Sequence, residues 1–322
     1  MQGLLVALRG AYLPSHLLGD PLRKPEALPT GGNLHAVDPA RIPTEAAWRV
    51  GQKMADEFLN RYRESHGALP KRVSIVLWYG ETERQQGAME SMALALVGVR
   101  PVWNQQGLIQ DLQLISPEEL RRDRVDVVFT VSGNYRDGFP DKLQLLDRAV
   151  RLAASAEDGV LAARNRQLAA ALEAGGTDPA EAQKLSSLRI FGAKPGAYGV
   201  GVQYLVEKSG GGDSARNIAS LYTANMGFGY SGDQWGVASE QALRANLRSV
   251  DAVQFSRSSN LYSSLDNDDT YQFVGGLRTA VEQVAGRAPE VYLHNLRQPG
   301  EERMVALREW LAVELQSRQF NP

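Results

Sequence analysis

Polar side chains follow two apolar segments of the chain at points where acid–base chemistry is expected. Glu81 comes shortly after the run VSIVLW, and Ser132, Arg136 and Asp137 follow the run VDVVFTV. Runs of this kind predict parallel strands that are buried on both faces. The carboxyl ends of such strands are the usual catalytic edge of a sheet, so we predict Glu81 and Asp137 as the catalytic pair. The alternative is that Arg136 pairs with Asp137 and that Ser132 caps a turn.

Asp266, Asp268 and Asp269 form the densest cluster of carboxylates in the chain. Oxygen ligands suit a hard or borderline divalent cation, although the spacing does not match an EF-hand loop. The alternative is that Asp268 or Asp269 caps a helix that begins nearby and complements its dipole. His35, three residues before Asp38, is a further candidate metal ligand, and a solvated loop histidine is its alternative.

The composition excludes several classes of function. The 322 residues carry 35 Lys and Arg against 37 Asp and Glu, and this net charge of −2 argues against nucleic-acid binding. The chain has no cysteine, which excludes disulfides, zinc knuckles, iron–sulfur clusters and thiolate nucleophiles. No P-loop is present, so ATP is not expected to bind here. The absence of a long apolar run predicts no membrane span and a cytoplasmic protein.

The pattern of strands, turns and helices predicts the α/β class, with two lobes of parallel-rich βαβ units and a helical middle segment. Residues 1–43 are rich in proline and glycine and are predicted as an ordered loop segment. Residues 44–175 form the first predicted lobe and residues 176–322 the second. The predicted strands are 73–78, 125–131, 188–191, 251–255 and 290–294, and the last predicted helix is 302–317.

Gly227, Gly229 and Gly232 match the GxGxxG pattern of dinucleotide-binding proteins. That motif must follow a strand and open a helix, whereas the residues before Gly227 have helical character. A nicotinamide-dependent enzyme is therefore an alternative that requires a strand ahead of Gly227.

Longer strings in the chain resemble the large subunit of the class I metal chelatases, the family of the CobN-like cobaltochelatase subunit and the magnesium chelatase H subunit. The matching blocks occur in order over nearly the whole chain, and the NLY, LDNDD and GGL strings are more similar to the cobalt branch. The blocks are GDPLRKPEALPTGGNLHAVDPARIPTEAAW, GVRPVWN, VSGNYRDGFPDKLQLLDRAV, RIFGAKPGAYGVG, SRSSNLYSSLDNDDTYQFVGGL and the closing NP.

The resemblance implies the carboxyl-terminal portion of a subunit that binds a tetrapyrrole and inserts cobalt(II) into a corrin-ring precursor during cobalamin biosynthesis. Separate AAA+ subunits would hold ATP and magnesium, and the amino-terminal part of the large subunit would be a further partner. The isolated chain would then be inactive as a ligase. The alternative is a non-catalytic CobN-like paralogue, because the family's glycine-rich PPGPGGD loop reads PSHLLGD here.

The resemblance also implies which residues meet the substrates. Aromatic side chains would pack the ring, arginines would pair with its acidic side chains, and His35 would join the three aspartates at cobalt. The implied substrate-binding residues are Asp20, Arg23, Thr30, Asn33, Trp78, Ser132, Arg136, Tyr198 and Tyr262.

Overall fold

The computed structural model describes residues 2–14, 16–17, 25–29, 33–35, 38–206, 214–259 and 263–320. The strands are β1 (His16–Leu17), β2 (Asn33–His35), β3 (Arg72–Leu77), β4 (Val99–Trp103), β5 (Ile109–Leu114), β6 (Asp126–Val131), β7 (Ile190–Gly192), β8 (Phe228–Tyr230), β9 (Trp235–Ala238), β10 (Ala252–Arg257), β11 (Glu290–Asn295) and β12 (Arg303–Ala306).

The helices account for most of the remaining described chain. They are α1 (Gln2–Leu8), α2 (Glu45–His66), α3 (Tyr79–Gln85), α4 (Ala88–Val97), α5 (Pro117–Leu120), α6 (Gly133–Gly138), α7 (Pro140–Ala154), α8 (Val160–Ala174), α9 (Pro179–Leu185), α10 (Gln203–Val206), α11 (Ser214–Met226), α12 (Glu240–Leu247), α13 (Gly276–Ala285) and α14 (Leu307–Glu314). Short 3₁₀ turns span Pro25–Ala27 and Pro39–Arg41, and π-helical turns span Thr270–Gly275 and Leu315–Gln319. No helix in the described ranges is long and apolar enough to cross a membrane.

Eight strands form one sheet in the order β12-β11-β10-β3-β6-β7-β8-β9. The five strands from β11 to β7 run parallel, and the strands added at both edges pair antiparallel. The predicted α/β class with a mostly parallel sheet is therefore confirmed. The strands β3 and β6 come from the first predicted lobe and the other six from the second, so the lobes share one sheet. Apolar runs predict that a strand is buried but not which strand lies beside it.

Helices cover both faces of the central strands, whose side chains alternate between two buried layers. Along β3, Val73, Ile75 and Leu77 belong to the layer that contains α2, α4 and α7. Val76 and the following Trp78 belong to the opposite layer, which contains α11, α12 and α13. Both faces of the central strands are therefore dry, as the continuous apolar runs predict.

Several elements differ from the sequence prediction. The segment 1–43 contains α1 and the short parallel pair β1–β2 within its described parts. Residues 303–306, predicted as helix, form the edge strand β12, because Met304 and Val305 pair with β11 before α14 begins. The nicotinamide alternative is wrong, since α11 directly precedes Gly227 and Gly229 lies in the antiparallel strand β8.

A buried ion triplet fixes the amino ends of three neighbouring strands. Asp126, the first residue of β6, accepts from Arg72 Nη2 at 2.6 Å and from Arg189 Nε at 2.8 Å. Arg72 begins β3 and Arg189 directly precedes β7, and all three side chains are at most 3% exposed. Burial acts to raise the pKa of Asp126, but the charges of Arg189 and Arg72 outweigh it and lower the pKa from 3.8 to about 2.

Replacing Asp126 with asparagine should lower the free energy of unfolding by roughly 3–5 kcal/mol, because two buried guanidinium groups lose their counterion. The loss is measured by urea unfolding followed through tryptophan fluorescence. The matched control is Asp111→Asn, which removes an exposed ion pair with Arg148 and should change stability by less than about 0.5 kcal/mol.

The same comparison has a defined pH dependence. The folded-state pKa of Asp126 lies below its unfolded value, so its stabilisation is fully present above about pH 4 and is lost as the pH falls toward 2. The difference in the free energy of unfolding between the wild type and Asp126→Asn should therefore become smaller as the pH falls from about 4 toward 2. Equal unfolding midpoints at pH 7 would contradict the role given to the triplet.

Candidate functional site

The sheet has a topological switch point between β3 and β10. These strands are parallel neighbours, yet the chain leaves β3 toward α4 in one layer and leaves β10 toward α13 in the other. In open α/β sheets, ligands bind in the crevice that such a divergence leaves at the carboxyl ends of the strands. We therefore take this end of β3 and β10 as the candidate site.

Glu81 lies at this crevice, in the first turn of α3, and is only 3% exposed. Its Oε1 accepts from Arg84 Nη2 at 2.7 Å, and its Oε2 accepts from the hydroxyl of Ser256 on β10 at 3.3 Å. Gln85 Nε2 donates to the same hydroxyl at 3.1 Å, and Arg84 Nε donates to Ser258 at 3.0 Å. Side chains from α3 thus bridge the ends of both strands around one carboxylate.

The loop after β6 uses its polar residues internally. The Ser132 hydroxyl accepts from the backbone N–H of Tyr135 at 3.2 Å and caps α6. Arg136 donates from Nε and Nη2 to the two carboxylate oxygens of Asp137, at 2.6 and 2.8 Å. Both features match the alternative left open by the sequence, in which Arg136 pairs with Asp137 and Ser132 caps a turn.

Arg136 also holds the loop that follows β7. Its Nη1 donates to the backbone carbonyls of Ala193, Lys194 and Ala197, and the side chain is 1% exposed. Gly133 permits this approach, because a Cβ there would lie 2.6 Å from the carbonyl oxygen of Ala197. The guanidinium of Arg136 is thereby occupied by the protein, so pairing with the acidic side chains of a ligand would break these bonds.

Asp137 and Tyr198 lie together at the exposed rim of the same edge. The hydrogen bond from Arg136 lowers the pKa of Asp137, and a further bond from Tyr198 acts in the same direction. Tyr198 is 53% exposed, and its ring centroid lies 5.6 Å from Arg136 Cζ. A carboxylate with a lowered pKa is a weaker base, whereas the exposed tyrosine ring is available for stacking.

A third carboxylate lies beneath the two strand-end helices. Glu90 of α4 is fully buried, and its Oε1 accepts from Thr82 Oγ1 of α3 at 2.7 Å and from the Tyr135 hydroxyl of α6 at 2.9 Å. Burial raises the pKa of Glu90, and these two hydrogen bonds oppose that shift. Glu90 is not among the site residues predicted from the sequence, although a single acidic residue in the apolar helix AMESMALALV is a signal for it.

The carboxylates of residues 266–269 point to separate partners. Asp266 accepts from Ser263 N at 2.9 Å and from Arg318 Nη1 at 3.2 Å, and Asp268 accepts from Gln272 Nε2 at 2.6 Å. The part of the chain that the structure describes contains no group of three or more histidines and carboxylates able to hold a metal ion. The prediction that the three aspartates converge on a metal is not met by the described residues.

The predicted capping role of these aspartates also needs correction. Asp269 makes no side-chain capping bond at the turn that follows, and Asn267 Oδ1 accepts from the backbone N–H of Asp269 at 2.8 Å instead. Burial raises the pKa of Asp269, and the neighbouring charge of Asp268 raises it further. The two carboxylates therefore repel each other at a partly buried position.

Trp78 is a core residue and does not line the crevice at the switch point. It is 9% exposed and packs edge-on against Phe255 and Phe273, with ring centroids 5.9 and 6.3 Å away. Trp78 follows the last residue of β3, and its side chain enters the layer that contains α13. The predicted strand, 73–78, does not indicate which of the two layers this side chain enters.

The remaining predicted site residues divide into two groups. Asp20, Arg23, Thr30 and Tyr262 lie outside the described residues. Asn33 and His35 lie in β2, where the structure describes the backbone alone.

The whole chain, residues 1–322, matches the family model described as CobN/Magnesium Chelatase. The aerobic cobaltochelatase subunit CobN of Sinorhizobium sp is 35% identical over all of this chain and 26% of its own length. The magnesium-chelatase H subunit of Rhodobacter capsulatus is 35% identical over 99% of this chain and 26% of its own length.

A solved structure agrees with this assignment. The catalytic subunit of cobaltochelatase from Mycobacterium tuberculosis has a TM-score of 0.90 and 34% identity, over 100% of this chain and 27% of that one. The chain thus spans about a quarter of the length of these relatives. A match of the family model over every residue, together with this agreement in fold, shows that the chain belongs to the CobN/magnesium chelatase family.

Proposed function

We propose that this chain is part of the large, tetrapyrrole-binding subunit of an ATP-dependent chelatase that inserts cobalt(II) into a corrin-ring precursor. Family membership and the similarity to a CobN subunit support this proposal. The amino-terminal part of the large subunit and AAA+ subunits, which hold ATP and magnesium, complete the complex in the cytoplasm. Cobalt(II) enters as a substrate.

The observation that carries the proposal is the placement of Glu81 at the switch point, between Arg84 and Ser256. Inserting a divalent metal into a tetrapyrrole requires the removal of protons from pyrrole nitrogens, so the site needs a positioned base. Among the described residues, the Oε2 atom of Glu81 accepts a single hydrogen bond, at 3.3 Å, from the Ser256 hydroxyl, which can rotate away. We assign Glu81 as this base.

The neighbouring groups then take supporting roles. The hydrogen bond from Arg136 lowers the pKa of Asp137 and makes it a weaker base than an ordinary aspartate. We therefore place Asp137 at the rim of the ring site, beside Tyr198. The exposed face of Tyr198 packs against the macrocycle. We retain Asp268 and Asp269 as contacts for the incoming metal, since a cation would offset the burial and the repulsion by Asp268 that together raise the pKa of Asp269.

The first test is a titration of the purified chain with a water-soluble porphyrin, followed by absorbance and fluorescence. We expect saturable binding in the micromolar range, weakened roughly tenfold in Tyr198→Ala because the stacking ring is lost. Tyr198→Phe is the matched control, since it keeps the ring and removes only the hydroxyl that bonds to Asp137. An absence of binding by the wild type would contradict a ring site on this chain.

The second test measures cobalt insertion by the assembled complex, with the chain in its full-length large subunit. Glu81→Gln keeps the hydrogen-bonding shape but cannot take a proton, so the insertion rate should fall roughly 10²-fold or more while ring affinity stays unchanged. Glu83→Gln on the same helix is the control and should insert at the wild-type rate.

The outcomes of this test separate the two candidate functions. Equal rates for Glu81→Gln and the wild type would remove Glu81 as the base. A wild-type complex that binds the ring but inserts no metal would favour the non-catalytic paralogue.

A further inference from the structure

An arginine row crosses the carboxyl edge of the sheet beside the switch point. Arg257 of β10 is in register with Asn295 of β11, and Asn295 is in register with Arg303 of β12. The three residues share the face that carries α13 and α14, because Phe255 and Leu293, two residues earlier, belong to that layer. Adjacent strands lie about 4.8 Å apart, so the row reaches roughly 10 Å from β10.

Arg297 extends this row and is held in place by its neighbours. Its backbone N–H and its Nε donate to Asn295 Oδ1, at 3.3 and 3.1 Å. Its guanidinium carbon lies 4.4 Å from the ring centroid of the buried Trp310, whose Nε1 donates to Ser264 Oγ at 3.2 Å. The guanidinium is therefore stacked on a fixed indole, with its two Nη groups left for another acceptor.

Positive charge exceeds negative charge around Arg297. Burial lowers the pKa of Arg297, and Arg318, Arg303 and Arg257 add to that shift, whereas Glu314 opposes it. Glu314 itself accepts from the backbone N–H of Ser264 at 2.9 Å. Asp266 faces Arg318 and Asp269 lies near Arg257, so three carboxylates stand among four arginines. Within the described ranges, Arg303 and the Nη groups of Arg297 have no hydrogen bond or ion pair.

We propose that Arg297 and Arg303 bind carboxylate groups, and that these are the acidic side chains of the tetrapyrrole. This inference rests on the proposed function and places the acidic edge of the ring over β11 and β12, next to the crevice that holds Glu81. Planar guanidinium groups with free forks suit carboxylates, which accept two parallel hydrogen bonds. Arg136, whose donors are occupied by Asp137 and loop carbonyls, is not required for this contact.

The test compares two porphyrins and two double variants by fluorescence titration. Uroporphyrin carries eight carboxylates, and a tetracationic N-methylpyridyl porphyrin carries none. Arg297→Gln with Arg303→Gln should weaken uroporphyrin binding at least roughly tenfold and leave the cationic porphyrin unchanged or bound more tightly. The control pair, Arg278→Gln with Arg287→Gln, removes the same charge from α13 and from the second residue past its end, and should leave uroporphyrin binding within about twofold of the wild type.

Each outcome decides between the inference and the function on which it rests. Uroporphyrin binding that is undiminished in the Arg297 and Arg303 variant would overturn this inference and leave the proposed function standing. An equal loss for both porphyrins would also overturn it, because the arginines would then act through the fold. A wild-type chain that binds neither porphyrin would overturn both. Matching thermal unfolding midpoints of the variants and the wild type exclude a loss caused by misfolding.

Discussion

The buried carboxylate of Asp126, held between Arg72 and Arg189, is the interaction on which the central sheet depends. It is a costly arrangement, because three ionised groups leave water and are tolerated only with close, well-directed hydrogen bonds. Its position at the amino ends of β3, β6 and β7 sets the register of these strands from one side. A slip of one residue would separate the charges and turn each apolar side chain to the wrong layer.

The opposite edge of the sheet has a different character. Polar side chains that follow β3 and β6 there bond to the next strand or loop, as Glu81 does to Ser256 and Arg136 to the loop after β7. The groups that would meet a ligand are therefore held in place before it arrives, which limits the ordering cost of binding. In our proposal, exposed aromatic and arginine side chains at the rim supply the ligand contacts that the buried network does not.

Much of the sheet could be predicted from the sequence, because strands buried on both faces are continuous apolar runs and Glu81 follows one of them. The order of the strands could not, since nothing local states that β10 lies beside β3. Local sequence likewise does not show that the side chain of Trp78 enters the core. Nor does it show that Asp266 pairs with Arg318, which is 52 residues away. Side chains whose partners are distant in sequence are the ones that local pattern places least well.

The buried side chain of Glu90 links two helices of the candidate site, α3 and α6. Thr82 and Tyr135 donate to the same oxygen atom of this buried side chain, so α3 and α6 share one anchor although they follow different strands. A change in either donor alters the charge and position of the acceptor that the other one needs, and the two contributions are not independent. We therefore expect α3 and α6, the helices that carry Glu81 and Asp137, to be energetically coupled through this buried side chain and to shift together when either one moves.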